Sequence, residues 1–161
     1  MSEDSPPSAA SERPASIHAS ALLVGPRAVV IRGPSGSGKS SLTLTLLHDA
    51  AARGVFARLI GDDRVRLTAC AGRLVVRGVN ELHGYIELRG RGILQMPYEP
   101  AGVVALVVDL VAGEPPRYPQ AAETATVVGG VRIPLLAVAG YGVPRSQMVL
   151  TALLTPGMPA E

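Results

Sequence analysis

The chain has 161 residues, 47% hydrophobic and 17% charged, a composition that suits one folded domain and excludes a disordered or fibrous chain. Fifteen basic against thirteen acidic side chains leave a net charge of only +2, which excludes the strongly basic surface that duplex DNA demands, so no nucleic-acid partner is expected. With no Trp and one Phe, the core has to be built from Leu, Val, Ile and Ala.

Residues 1–16 are Ser, Pro, Ala and acid, with nothing to bury and no apolar stretch of the kind a signal peptide needs; they read as a flexible leader. Ile17 to Val24 is apolar and breaks at Gly25-Pro26-Arg27, a turn, after which Ala28–Ile31 reads as a short buried strand. This hairpin leads into a glycine-rich loop, Gly33 to Gly38. Ser40 to Arg53 reads as a helix, with Leu42, Leu46, Leu47 and Ala50 at spacings of three and four and Gly54 at the C-cap. Val55–Ile60 is the next strand and ends at Gly61-Asp62-Asp63. Val65–Ala69 and Leu74–Val76 flank Ala71-Gly72 as a second hairpin, and Ile93–Met96 is a short extended piece or a helical turn. Val103–Val111 is a near-continuous apolar run that suits a central strand. Gly113–Gln120, with its prolines, is a surface loop. Val131–Val138 is a strand whose Pro134 belongs at an edge or bulge, and Ser146–Leu154 is a short closing helix.

These elements predict a single α/β domain over 17–155, with a mixed β-sheet, flanking helices and a flexible tail at 156–161. The most apolar runs, 103–112 and 133–139, are too short for a bilayer, so no membrane is expected and the location is read as cytoplasmic. The lone Cys70 cannot form an internal disulfide and reads as a small buried hydrophobe.

Gly33-Pro34-Ser35-Gly36-Ser37-Gly38-Lys39-Ser40 fits G-x-x-x-x-G-K-[ST] at every fixed position. Glycines let successive backbone N–H groups curl round a phosphate, and the helix that follows adds the positive end of its dipole. Lys39 would reach the β- and γ-phosphates, and the Ser40 hydroxyl would ligate Mg²⁺. Lys39 is the only lysine among fifteen basic side chains, and a compact ammonium suits a triphosphate better than a planar guanidinium. The loop is therefore expected to bind a nucleotide, ATP with Mg²⁺.

Asp62 and Asp63 follow a strand, where phosphoryl-transfer enzymes of this kind place a metal-side carboxylate; a second carboxylate could take a proton from an acceptor hydroxyl. Two adjacent carboxylates call for a nearby cation, Mg²⁺ or Arg. A solvated turn is the plainer alternative for the pair.

The order of His18, the glycine loop and the Asp pair, followed by Glu87-Leu88-Arg89-Gly90-Arg91-Gly92-Ile93, resembles the catalytic domain of bacterial HPr kinase/phosphorylase. That family typically has a His before its G-x-S-G-x-G-K-S loop, an Asp-Asp pair, and a signature close to E-[IL]-R-G-x-G-I. The resemblance covers about residues 17–110, and in length the chain resembles the short proteobacterial form, which is without the N-terminal domain of longer members. It implies transfer of the ATP γ-phosphate to a serine of HPr, the phosphocarrier of the sugar phosphotransferase system. Asp62 and Asp63 would be the acid/base and metal-side carboxylates; their division is open, with Asp62 preferred as the base and Asp63 on the metal side. His18 would sit against the reacting phosphates, Glu87 would help hold the metal, and Arg89 would neutralise charge. Full members also run the reverse reaction with inorganic phosphate and assemble into homo-oligomers. Ser41 stands where the family often has Glu, and Val131-Arg132-Ile133-Pro134 stands where longer members have Pro-Gly-Arg-Asn, a loop tied to the reverse reaction and to subunit contacts.

Without the resemblance, Glu87 and Arg89 read as an ion pair on one face of a strand, and His18, His48 and His83 as structural histidines. Arg64, Arg66, Arg73 and Arg77 read as a solvated hairpin face or a meeting surface for an acidic partner. Two other functions fit the loop: a small-molecule kinase, and an ATP-binding regulatory module without turnover.

Overall fold

The computed structural model describes residues 16–140 and 144–155. The leader, apart from Ser16, and the tail lie outside the described residues. In chain order the strands and helices are β1 (Ser16–Ile17), β2 (Ala19–Val24), β3 (Arg27–Arg32), α1 (Lys39–Ala52), β4 (Ala57–Gly61), β5 (Val65–Cys70), β6 (Arg73–Gly78), β7 (Tyr85–Leu88), β8 (Gly92–Gln95), β9 (Ala101–Val111), β10 (Ala125–Val128), β11 (Val131–Ala139) and α2 (Arg145–Leu154). Single turns of 3₁₀ helix stand at Asn80–Leu82 and Ala121–Glu123.

The large sheet is mixed and runs β1-β5-β6-β9-β3-β2-β4, with β11 joined to β9 and β10 joined to β11. The apolar run at 103–111 is its central strand: β9 pairs antiparallel with β6 through Ala101–Val103, and parallel with both β3 and β11 further along. The predicted hairpins at 17–31 and 65–76 are both present. Pro134 pairs with Ala125 on the outer strand β10, and the pairing of β11 with β9 starts one residue later at Leu135. A residue without an N–H is tolerated there. Ile93–Met96 resolves as extended: Gly92–Gln95 pairs with Tyr85–Leu88 in a separate two-stranded sheet. No helix among the described residues is long and apolar enough to cross a membrane.

Alternation along the strands divides the core in two. On one face Leu22, Val29, Ile31, Leu59, Leu106 and Val108 pack against Leu42, Leu46 and Leu47 of α1 and Val149, Leu150 and Leu153 of α2. On the other, Ala21, Val30, Ile60, Val107 and Ile133 pack against Val65, Leu74 and Val76. Both helices thus lie on one face, and the opposite face is closed by the curling of the sheet's own hairpin, whose apolar side turns inward while Arg64, Arg73 and Arg77 face solvent. The hairpin can close in because Gly78 and Gly61 have no side chains: a Cβ on Gly78 would stand 2.3 Å from the Ile60 carbonyl oxygen, and one on Gly61 would stand 2.9 Å from Val65 Cγ1.

Cys70 is exposed, not buried. It pairs with Arg73 at the tip of the β5–β6 hairpin, where the ribbon runs past the layer it covers and its apolar neighbours Ala69 and Ala71 are exposed as well.

Candidate functional site

β3 delivers the chain to the glycine loop and α1 leaves it. The loop turns on Gly36 (φ 78°) and Gly38 (φ 94°), a left-handed region that glycine enters without a Cβ clash. Gly38 stands at the helix N-cap, where no side chain caps the first turn; its leading N–H groups are the free donors that an anion can take. Lys39 is 7% exposed, and its Nζ donates to the carbonyl oxygens of Gly33 (2.9 Å) and Pro34 (3.0 Å). An ammonium has three donors, so a third is available to the cleft that Lys39 lines.

The two aspartates point apart, and the backbone is the cause. Arg64 N–H donates to the Asp62 carbonyl (2.7 Å), closing a three-residue turn with Asp63 at its centre, at φ 66°. Such a left-handed non-glycine residue is uncommon, and Asp is among the types that tolerate it. Asp62 is thereby turned inward and is 5% exposed. Its Oδ1 accepts from Ser20 Oγ (2.6 Å) and Ser40 Oγ (2.8 Å), while its Oδ2 accepts from Ser40 Oγ (2.9 Å) and from the Glu87 backbone N–H (3.2 Å). Asp63 is turned outward, its side chain 66% exposed, and its Oδ1 accepts from His18 Nε2 at 2.6 Å.

These groups share one cleft of about 360 Å³, lined by His18, Ser20, Ser35, Gly36, Gly38, Lys39, Ser40, Ser41, Asp62, Asp63, Glu87, Leu88 and Arg89. Of the residues singled out from the sequence, Gly33, Pro34 and Ser37 do not line it: the first two supply the carbonyls that hold Lys39, and Ser37 faces a second cavity behind the loop. Glu87 and Arg89 stand at the cleft on the β7 strand and the turn after it. They form no ion pair, the ion pairs among the described residues being His18–Asp63 and Arg32–Asp109. His48 lies on the exposed side of α1, and His83 stacks against Tyr98 with ring centroids 4.9 Å apart.

Ser20 was absent from the sequence-based set, although a signal for it exists: it is the one polar residue in the apolar strand Ala19–Val24, and it is fully buried. A buried hydroxyl must find a partner, and the partner is Asp62.

The donor set fits a small hard cation. Ser40 Oγ and the two Asp62 oxygens are hard oxygen donors at the foot of the loop that could serve Mg²⁺, which typically takes one or two such groups and completes its shell with phosphate oxygens and water. No group of three His, Cys, Asp or Glu side chains arranged to enclose a metal exists among the described residues.

The fold and the cleft define a mixed α/β domain with a strand–glycine-loop–helix unit facing a carboxylate turn. Among solved structures its fold is similar to that of the HPr(Ser) kinase/phosphatase from Coxiella burnetii, with a TM-score of 0.69 and 22% sequence identity over 87% of this chain and 88% of that one. No protein-family model and no curated protein matches the sequence.

Proposed function

We propose that this chain is an ATP- and Mg²⁺-dependent protein kinase that phosphorylates a serine of HPr. The observation that carries the reading is the Ser40 hydroxyl shared between the two oxygens of the Asp62 carboxylate, at 2.8 and 2.9 Å. It joins the phosphate-type loop to the carboxylate turn inside the cleft that also contains Lys39 and the His18–Asp63 pair. The fold likeness to the Coxiella burnetii enzyme and the Glu87–Ile93 segment support HPr as the acceptor.

We assign the two aspartates opposite to the preference drawn from the sequence. Asp62, buried and bound to Ser40, belongs on the metal side; Asp63, exposed and held by His18, is the proton acceptor. Bound MgATP would supply the γ-phosphoryl group. Lys39 and the N–H groups of the loop and first turn of α1 would hold its phosphates, which leaves positioning and charge neutralisation as the main work, as loose phosphoryl transfer requires. His18 occupies Asp63 Oδ1, so Oδ2 is the oxygen left to receive the proton of the serine hydroxyl as the serine oxygen bonds to the γ-phosphorus and the bond from that phosphorus to the bridging oxygen breaks, releasing ADP. Arg89 stands at the cleft as a cation for the transferred group, and Glu87, whose backbone holds Asp62, as an outer metal-side carboxylate.

The test is ADP release from ATP by the purified chain, with and without HPr. We expect release that requires HPr and disappears in Lys39→Ala. Release that is indifferent to HPr would move the reading to a small-molecule acceptor. ATP binding without release would move it to a regulatory module.

A further inference from the structure

The β5–β6 hairpin, with β1 against it, has one face turned to the core and one turned to solvent. Val65, Leu74 and Val76 pack inward. The outer face carries Arg66 on β5 and Arg73 and Arg77 on β6, and Arg64 stands just ahead of β5; Arg66 is half-buried and the other three are exposed. Arg66 lies directly opposite Arg77 in the strand register. The positions beside and between these arginines on the outer face are Ser16, Thr68, Cys70, Val75 and Ala101, with no carboxylate among them, and none of the four arginines forms an ion pair among the described residues.

A face of one sign is not what folding favours. Like charges directly opposite each other on a sheet destabilise it, and both signs are ordinarily interspersed on a soluble surface. This face also adjoins the cleft. Arg64 directly follows Asp63, both of them exposed, and Ser16, paired with Arg66, lies two residues ahead of His18, which holds Asp63 at 2.6 Å. From Arg64 to the hairpin tip at Cys70 the arginine face reaches about 20 Å outward from the rim, at about 3.3 Å per residue of strand.

We propose that this arginine face docks the acceptor protein, which meets it with acidic side chains flanking the target serine. The inference rests on the reading that the cleft phosphorylates a protein. A serine that reaches Asp63 brings the surface around it against the surroundings of the cleft, and guanidinium groups offer carboxylates paired, planar hydrogen bonds. A nucleic acid is the less fitting occupant: the chain as a whole is close to neutral, at net +2, and a run of phosphates calls for a strongly basic surface. Exposed charges of this kind act chiefly on encounter, raising the association rate in a salt-dependent way.

The test is steady-state phosphorylation of HPr by the wild type and by Arg73→Glu/Arg77→Glu, which reverses two exposed charges outside the lining of the cleft. We expect KM for HPr to rise at least tenfold, with kcat and KM for ATP within threefold. Rising salt should lower kcat/KM for HPr steeply in the wild type and weakly in the variant, and poly-glutamate should compete with HPr on the wild type alone. Arg73→Gln/Arg77→Gln, which removes the charges without reversing them, should shift KM for HPr in the same direction by a smaller factor. HPr kinetics unchanged in both variants would overturn the docking face while leaving the kinase reading in place. Competition by an oligonucleotide and not by poly-glutamate would overturn it too, and give the face to nucleic acid. A wild type that transfers no phosphate to HPr would overturn both readings.

Discussion

Asp62 and Asp63 are neighbours in sequence, and replacing each by Asn should damage different properties. Asp62 accepts from three donor groups: Ser20 Oγ, Ser40 Oγ and the Glu87 N–H. Hydrogen bonds to a charged acceptor contribute about 1.5–3 kcal/mol against about 0.5–1.5 kcal/mol for neutral pairs. The amide nitrogen of Asn also has to displace one acceptor position. Allowing for the smaller desolvation cost of a neutral side chain, Asp62→Asn should cost about 2–3 kcal/mol, a fall in melting temperature of about 4–12 °C for a chain of this size, together with loss of turnover. Asp63 is 66% exposed and makes one exposed pair with His18, and such a pair contributes about 0.2–1 kcal/mol. Asn accepts the left-handed φ of 66° at least as readily as Asp. Asp63→Asn should therefore melt within about 4 °C of the wild type, yet lose about 10²–10⁴-fold in kcat, the usual contribution of a general base. Thermal unfolding and HPr-dependent ADP release, measured on the same preparations, separate the two. An Asp63→Asn protein that keeps kcat within tenfold would refute its role as proton acceptor. An Asp62→Asn protein as stable as the wild type would refute the buried network.

Other substitutions probe the supports of the cleft. Ser20→Ala deletes the 2.6 Å donor to Asp62 while leaving Ser40 in place; it should cost about 1–2 kcal/mol in chemical denaturation and lower kcat more than it raises KM for ATP. Gly78→Ala would bring a methyl group to 2.3 Å from the Ile60 carbonyl oxygen, on the strand that leads into the aspartate turn. Overpacking against backbone should cost about 3 kcal/mol, read as a fall in melting temperature with ATP turnover reduced in the surviving fold. Cys70, exposed at a hairpin tip, should react stoichiometrically with a thiol reagent in the native protein, without loss of ATP turnover; a thiol that reacts only after denaturation would contradict its placement.

Much of this was legible locally, and what was not depends on contacts between distant segments. α1 was plain because its Leu spacing, the preceding glycines and Gly54 agree with one another, as natural sequences tend to. β9 was plain because a strand covered on both faces reads as an unbroken apolar run. The β7 and β10 strands were not, since YIEL and ATVV are short and half exposed, and their pairing partners supply the order that their own sequence does not. Cys70 misled because its small apolar neighbours look like core, and only the overhang of the hairpin makes them surface. In the candidate site, the loop and the aspartates could be named from their motifs, but the outward turn of Asp63 hangs on one backbone dihedral that no residue type announces. Ser20 acts across 42 residues of chain, a separation that leaves no local pattern.

The central claim is that this cleft moves a phosphoryl group from ATP to a serine of HPr. It is tested most directly by incubating the chain with Mg²⁺, γ-labelled ATP and HPr, then locating the label by peptide mass spectrometry and acid stability. The account predicts an acid-stable phosphate on serine, absent when Lys39→Ala replaces the wild type. Unlabelled HPr in the presence of a wild-type chain that binds ATP, or an acid-labile phosphate in place of phosphoserine, would contradict it.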